Sequence, residues 1–232
     1  MLVINRRLVL KKYLKRQEKL FTKAQQQRLE ELNIMIAGTG GLGTNLAIQL
    51  QRVGVNKLYL YDYDYVEISN LNRQLCYGIK DIGRLKVEVA EEFLNQFNLE
   101  TKIVTINEKI TIDTKVPEDI DIIFDGMDNF ESRYILDKLA GDKEIPFIHA
   151  GIEGFFAQIM LVLPESEFRL KDVFVDTEKK ETPAVFSPAV SVTALIQVIE
   201  ALKYLLEFSD YLQNELLHID LLSNQMEKIS LK

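Results

Sequence analysis

The residues with the plainest chemical meaning begin at Gly38-Thr39-Gly40-Gly41-Leu42-Gly43. Gly38, Gly40, Gly41 and Gly43 stand between a short apolar run, Asn33 to Ala37, and a stretch with Leu46, Ala47, Leu50 and Val53 at helical spacing. Glycines between a strand and a helix let the backbone turn tightly. They also let phosphate oxygens reach the free N–H groups at the helix start, where the dipole favours an anion. Asp62 ends the next strand-like run, Lys57 to Tyr61, a position from which a carboxylate accepts hydrogen bonds from ribose hydroxyls. This much points to a nucleotide and leaves NAD and ATP open.

The residues that follow bear on that choice: Asp62-Tyr63-Asp64, then Ser69-Asn70-Leu71-Asn72-Arg73-Gln74, then Lys86, then Asp125-Gly126-Met127-Asp128-Asn129. A triphosphate needs cations along its length and carboxylates to hold Mg²⁺. Arg73 and Lys86 can supply the cations, and Asp64 and Asp128 the carboxylates. Each also has a plainer reading: Lys86 as a solvated helix residue, Arg73 as a salt-bridge partner, Asp128 as the N-cap of the following helix. Their joint order favours the metal triphosphate.

Elements must hold these residues in place, and the apolar pattern supplies them. From Leu8 to about Leu32 the spacing predicts a helix, followed by the strand 33–37, the Gly-rich turn, a helix closed by Gly54, and the strand 57–61. A helix over about Arg84 to Phe97, strands at Lys102 to Ile106 and Asp121 to Phe124, a helix near Glu131 to Ala140 and a strand Phe147 to Ala150 continue the alternation. The fold class is α/β: a doubly wound, Rossmann-like, mainly parallel sheet with helices on both faces. Beyond Gly151 the rhythm changes to a strand Phe156 to Leu163, a polar irregular stretch Pro164 to Pro183, and a long helix Ser187 to Phe208. Strands Leu216 to Leu221 and Gln225 to Leu231 follow, joined as a hairpin through Ser223 and Asn224. The 232 residues make one domain: a helical segment over 1–32, a nucleotide-binding core over 33–150 and an antiparallel extension over 151–232.

Composition narrows the function. Apolar residues at 47% and charged residues at 27% are those of a globular protein, and a net charge of -7 argues against a dedicated nucleic-acid binder. The basic strip of Arg6, Arg7, Lys11, Lys12, Lys15, Arg16 and Lys19 reads first as a solvated helix face. No run approaches the roughly 18 apolar residues of a membrane span, so a cytoplasmic location is expected. Cys76 is the single cysteine and reads as a small buried residue; His149 and His218 read as structural.

Taken together, Tyr13-Leu14-Lys15-Arg16-Gln17, the Gly-rich turn, Asp62-Tyr63-Asp64, the Ser69 to Gln74 run, Gly83-Arg84-Leu85-Lys86-Val87, Asp128-Asn129 and the Ser187-Pro188 helix start resemble the ThiF/MoeB/HesA family, relatives of the adenylation domains of ubiquitin-activating enzymes. The resemblance implies an adenylyltransferase that uses MgATP to activate the C-terminal glycine of a ubiquitin-like sulfur-carrier protein, releasing pyrophosphate. A sulfur donor would then take over the acyl adenylate, as in thiamine or molybdopterin biosynthesis. It implies that the Gly-rich turn and Asp62 hold the nucleotide, with Asn70, Arg73, Lys86 and Asn129 around it. Asp128 is the implied Mg²⁺ ligand and Asp64 a second candidate. Arg16 resembles the arginine that one subunit inserts into its partner's ATP site, which implies a homodimer.

Two departures matter. Many relatives carry two Cys-x-x-Cys pairs that bind zinc, and a chain with one cysteine has none, so no zinc is expected. Others carry a thiol shortly before the Pro-containing helix, where this chain reads Glu181-Thr182-Pro183-Ala184-Val185-Phe186-Ser187-Pro188. Rival readings are an enzyme that activates a carboxylate on a modified tRNA base, a non-catalytic partner subunit, and an NAD-dependent oxidoreductase.

Overall fold

The computed structural model describes residues 11–97, 99–175 and 184–231. Of the basic strip, Arg6 and Arg7 lie outside the described residues, as do the start of the expected Leu8 to Leu32 helix and the Glu181-Thr182-Pro183 part of the thiol-free stretch.

Eight strands form one sheet in the order β3-β2-β1-β4-β5-β6-β7-β8. They are β1 (Asn33–Ala37), β2 (Lys57–Tyr61), β3 (Lys102–Ile106), β4 (Ile122–Asp125), β5 (Phe147–Glu153), β6 (Phe156–Val162), β7 (Glu215–Asp220) and β8 (Gln225–Ser230). The first five run parallel, and β6, β7 and β8 add on antiparallel. The helices are α1 (Lys23–Glu31), α2 (Gly41–Val53), α3 (Lys86–Asn95), α4 (Phe130–Asp142), a short α5 (Leu170–Val173) and α6 (Ser187–Leu205). The mainly parallel sheet and its antiparallel extension therefore match the expectation.

Alternation along β1 explains the two layers. Ile34 and Ile36 face a core shared with Leu46 and Leu50 of α2, Ala90 and Leu94 of α3, and Ala194 and Val198 of α6. Met35 and Ala37 face the other core, with Leu136 and Leu139 of α4 and Leu170 of α5. A strand covered on both faces must be apolar at every position, as β1 and β4 largely are. Among the described residues α6 is long and apolar enough to cross a membrane, but half of that stretch is buried within the protein.

The order of strands reverses between β1 and β4, which opens a crevice beyond their C-terminal ends. Register brings the chain ends together there, because Ala37 is paired with both Tyr61 and Asp125. Gly38, Asp62 and Gly126, each the next residue, emerge side by side.

Several boundaries differ from the sequence expectation. The N-terminal helix is two elements, a 3-10 turn at Lys11–Arg16 and α1, because Thr22 takes an extended conformation and closes a capping box with Gln25. The strand expected from Asp121 starts at Ile122, since the Asp121 carboxylate is spent on Arg28 and on the Asn33 N–H, both at 2.7 Å. The irregular stretch after Pro164 contains α5. The expected hairpin forms, closed by Asp220 accepting from the Leu222 and Ser223 backbone.

Candidate active site at the sheet crevice

The Gly-rich turn owes its shape to backbone contacts that a side chain would block. Gly38 has φ +91° and donates to the Tyr61 carbonyl at 2.7 Å. A Cβ there would lie 2.7 Å from the Gly126 carbonyl oxygen, and one on Gly43 would overlap the carbonyl oxygen of Gly38. A Cβ on Gly126, which no sequence pattern marks, would lie 2.7 Å from that same oxygen. Gly40 caps α2 with no side-chain hydrogen bond, so the first N–H groups of that helix face the crevice uncapped.

Asp62 lies beside this turn. Its Oδ2 accepts from the Thr39 N–H at 2.7 Å and the Thr39 hydroxyl at 2.9 Å, and its Oδ1 accepts from the Asp64 N–H at 2.9 Å. Lys86, at the start of α3, is buried and its ammonium meets Asp64 Oδ2 at 2.9 Å; Asp64 itself is half-exposed. Arg73 is half-buried, and its stem lies against Gly41, where a Cβ would be 3.4 Å from Arg73 Cγ. Its guanidinium donates to the Ser69 carbonyl at 3.0 Å and to Asn72 Oδ1 at 2.7 Å, and among the described residues it has no carboxylate partner. Asn70 is buried and its Oδ1 accepts from the Glu67 N–H at 3.0 Å, so it shapes the turn that carries Arg73.

Asp128 and Asn129 divide their work. Asn129 is the N-cap of α4, accepting from the Ser132 N–H at 2.9 Å, which corrects the plainer reading that gave this task to Asp128. Asp128 is exposed and accepts only from the Asn129 amide, at 3.1 Å, among the described residues. Arg16 is not part of this gathering. Leu14 packs on Gly54 and Gln17 donates to the Val53 carbonyl at 2.9 Å, which places Arg16 at the far end of α2. A helix of 13 residues is about 20 Å long, so the crevice of the same subunit is roughly that far away.

Behind the Asp128 loop lies a buried charge network that the sequence did not disclose. Asp125 is fully buried, with His149 Nδ1 at 2.6 Å and Arg133 Nε at 3.2 Å from its Oδ2. Its Oδ1 accepts from the Met127 N–H at 2.9 Å, while Arg133 Nη2 donates to the Met127 carbonyl at 2.8 Å. Met127 is held at both ends, next to Asp128. His149 is fully buried, as a structural residue should be, and burial holds it below its ordinary value.

Cys76 is buried and desolvation pushes its thiol up to about 12. Such a thiol is not a nucleophile at neutral pH. Cys76→Ala protein is therefore expected to keep wild-type activity and to show no thiol-labile adduct by mass spectrometry. Loss of activity in a folded Cys76→Ala protein would contradict this.

Comparison with known proteins bears on the family and the fold. The ThiF family model matches residues 14–232. The sulfur carrier protein ThiS adenylyltransferase of Escherichia coli (strain K12) is 32% identical over 187 residues, covering 78% of this chain and 74% of its own. The molybdopterin-synthase adenylyltransferase of Haemophilus influenzae is 33% identical over 214 residues, covering 89% and 88%. A solved structure of E. coli MccB with AMPCPP and selenomethionyl MccA matches with a TM-score of 0.79 and 25% identity, over 89% of this chain and 66% of that one.

Proposed function

The chain belongs to the ThiF family, and from that premise we propose that it is an ATP-dependent adenylyltransferase acting on the C-terminal glycine of a ubiquitin-like sulfur-carrier protein. The observation that carries the reading is Arg73: its stem lies against Gly41 at the uncapped start of α2, and its guanidinium has no carboxylate partner among the described residues. A dinucleotide fold has no need of that cation, whereas a triphosphate does. The names of the two relatives support the carrier as substrate.

In this mechanism a carboxylate oxygen of the carrier attacks the α-phosphorus of ATP, the bond to the β-phosphate oxygen breaks, and pyrophosphate leaves with the electron pair. The N–H groups of α2 and Arg73 hold phosphate oxygens, Lys86 turns from Asp64 towards them, and Asp62 holds the ribose. Charge stabilisation and positioning account for the rate, with no protein nucleophile. No group of three or more His, Cys, Asp or Glu side chains gathers among the described residues. Mg²⁺ suits such a site, since it takes one or two carboxylates and fills its shell with phosphate oxygens and water. Asp128 would hold it, with Asp64 a second ligand once Lys86 is drawn away, and the ion would neutralise pyrophosphate. A sulfur donor then attacks the acyl adenylate, in the cytoplasm, and residues 1–32, 33–150 and 151–232 work as one unit.

The test is ATP–pyrophosphate exchange by the purified chain with glycine-ending ubiquitin-like carriers, tRNA or no addition. Exchange with a carrier alone is expected. Exchange only with tRNA would move the substrate, and equal thermal protection by NAD and MgATP would remove the reading.

Arg16 completes the site of a partner subunit in this proposal, because its own crevice lies at the other end of α2. Arg16→Ala and Lys86→Ala proteins should each be inactive. Mixed and allowed to exchange subunits, they should regain up to about a quarter of wild-type activity, the statistical share of intact sites in random dimers. A fully active monomer in sedimentation would overturn the trans arrangement.

A further inference from the structure

Thr39 is a polar side chain set among the glycines of the turn, and it is almost completely buried. Every polar atom it has is engaged. Its N–H and hydroxyl both reach Asp62 Oδ2, at 2.7 and 2.9 Å, and its carbonyl accepts from the Tyr77 hydroxyl at 2.7 Å. Tyr77 is buried too, and desolvation raises its phenol far above the usual range, so it stays a donor.

The count of lone pairs then says what Asp62 can still do. A carboxylate oxygen offers two acceptor sites. Oδ2 spends both on Thr39, and Oδ1 spends one on the Asp64 N–H, leaving a single acceptor site on Oδ1. A carboxylate gripped in this way cannot rotate to offer a different edge.

We propose that Thr39 and Tyr77 are positioning residues that fix the Asp62 carboxylate so that one acceptor site, on Oδ1, receives one ribose hydroxyl of the nucleotide. The inference rests on the ATP reading of the site. It goes beyond the glycine pattern, because a glycine at position 39 would hold phosphate equally well and keep the backbone N–H bond, but would leave a second acceptor site open, on Asp62 Oδ2. The Thr39 hydroxyl contributes to selection of the sugar, and phosphate binding does not depend on it.

Carrier-dependent pyrophosphate exchange with ATP, 2′-deoxy-ATP and 3′-deoxy-ATP tests it on the full chain. Wild type should disfavour one of the two deoxynucleotides by about tenfold or more in kcat/KM, the scale of one hydrogen bond to a charged group, and use the other nearly as well as ATP. Thr39→Val should raise the KM for ATP about tenfold with kcat kept, and bring the discrimination close to one. Thr39→Ser keeps the hydroxyl and should keep the discrimination. If Thr39→Val fails to fold, Tyr77→Phe, which removes a single oxygen, should reduce the discrimination in the same direction.

A structural role alone would weaken all three nucleotides equally and leave the ratio unchanged, and that result overturns the proposal. So does a folded Thr39→Val protein with wild-type discrimination, or a Thr39→Ser protein that loses as much as Thr39→Val. Wild type that uses ATP without discriminating also sinks this inference, while the adenylation reading survives. Wild type that does not use ATP at all sinks the adenylation reading itself.

Discussion

Replacing Arg73 with alanine should slow carrier-dependent pyrophosphate exchange by roughly a hundred- to a thousandfold while leaving the melting temperature nearly unchanged. The magnitude is that of removing one preorganised donor from a site where charge develops. The fold loses little with the guanidinium: its two hydrogen bonds, to the Ser69 carbonyl and the Asn72 side chain, are exposed to water, and it pairs with no described carboxylate. Lys86→Ala should cost a similar factor, but with a different structural accompaniment. Lys86 is buried, and Asp64 is exposed enough for water to replace the lost ammonium. Exchange assays beside thermal melts check both. An Arg73→Ala protein within tenfold of wild type would remove Arg73 from the phosphate site and, with it, the observation on which the proposed function leans.

The second large effect is on stability. Arg133→Met should destabilise the fold by about 3–5 kcal/mol, because it leaves the Asp125 carboxylate buried without its cation. For a domain of this size that lowers the melting temperature by on the order of 10 °C. Asp125→Asn in the same chain should restore part of the loss, since the uncompensated charge is gone. The pH dependence has a definite sign. Burial first, and Arg133 second, hold His149 below its ordinary 6.5, against the pull of Asp125. The unfolded imidazole takes a proton that the folded one resists. Wild-type stability from this group is therefore complete above about pH 6.5 and is lost as pH falls, by at most about 1.4 kcal/mol per pH unit. Removing Arg133 weakens that resistance, so the gap between wild type and Arg133→Met should narrow in acid. Denaturant melts from pH 7.5 to 5.5 measure this, and a gap that widens would refute the assignment.

How much of this is legible in the sequence depends on whether a residue's role is local. Gly38, Gly43 and Asp62 are legible because a turn between a strand and a helix needs particular residues at fixed offsets. Gly126 is not, since its need for a bare backbone arises from the approach of Gly38, far away in the chain. Asp125, Arg133 and His149 come from two strands and a helix, and only pairing of β4 with β5 brings them into one network. Thr39 is hidden in a motif read for its glycines. The break at Thr22 did have a local mark, Thr22-Lys23-Ala24-Gln25, masked by the helical composition on both sides. Asp128 is singled out by the sequence, yet only the geometry gives the cap to Asn129 and leaves Asp128 facing solvent. The parallel core was the easiest part, because strands buried on both faces are written as unbroken apolar runs.

The meeting of Gly38, Gly43 and Gly126 also bears on which genetic changes this protein can survive. A lesion in a packed core is often rescued by a second mutation that trims or enlarges a neighbouring side chain. At these three positions an added methyl would strike chiefly carbonyl oxygens, at 37, 38 and 126, and no substitution elsewhere can shorten a carbonyl. Second-site suppressors of Gly38→Ala, Gly43→Ala or Gly126→Ala should therefore be absent among side-chain changes nearby. Revertants should be true ones, back to glycine at the altered codon.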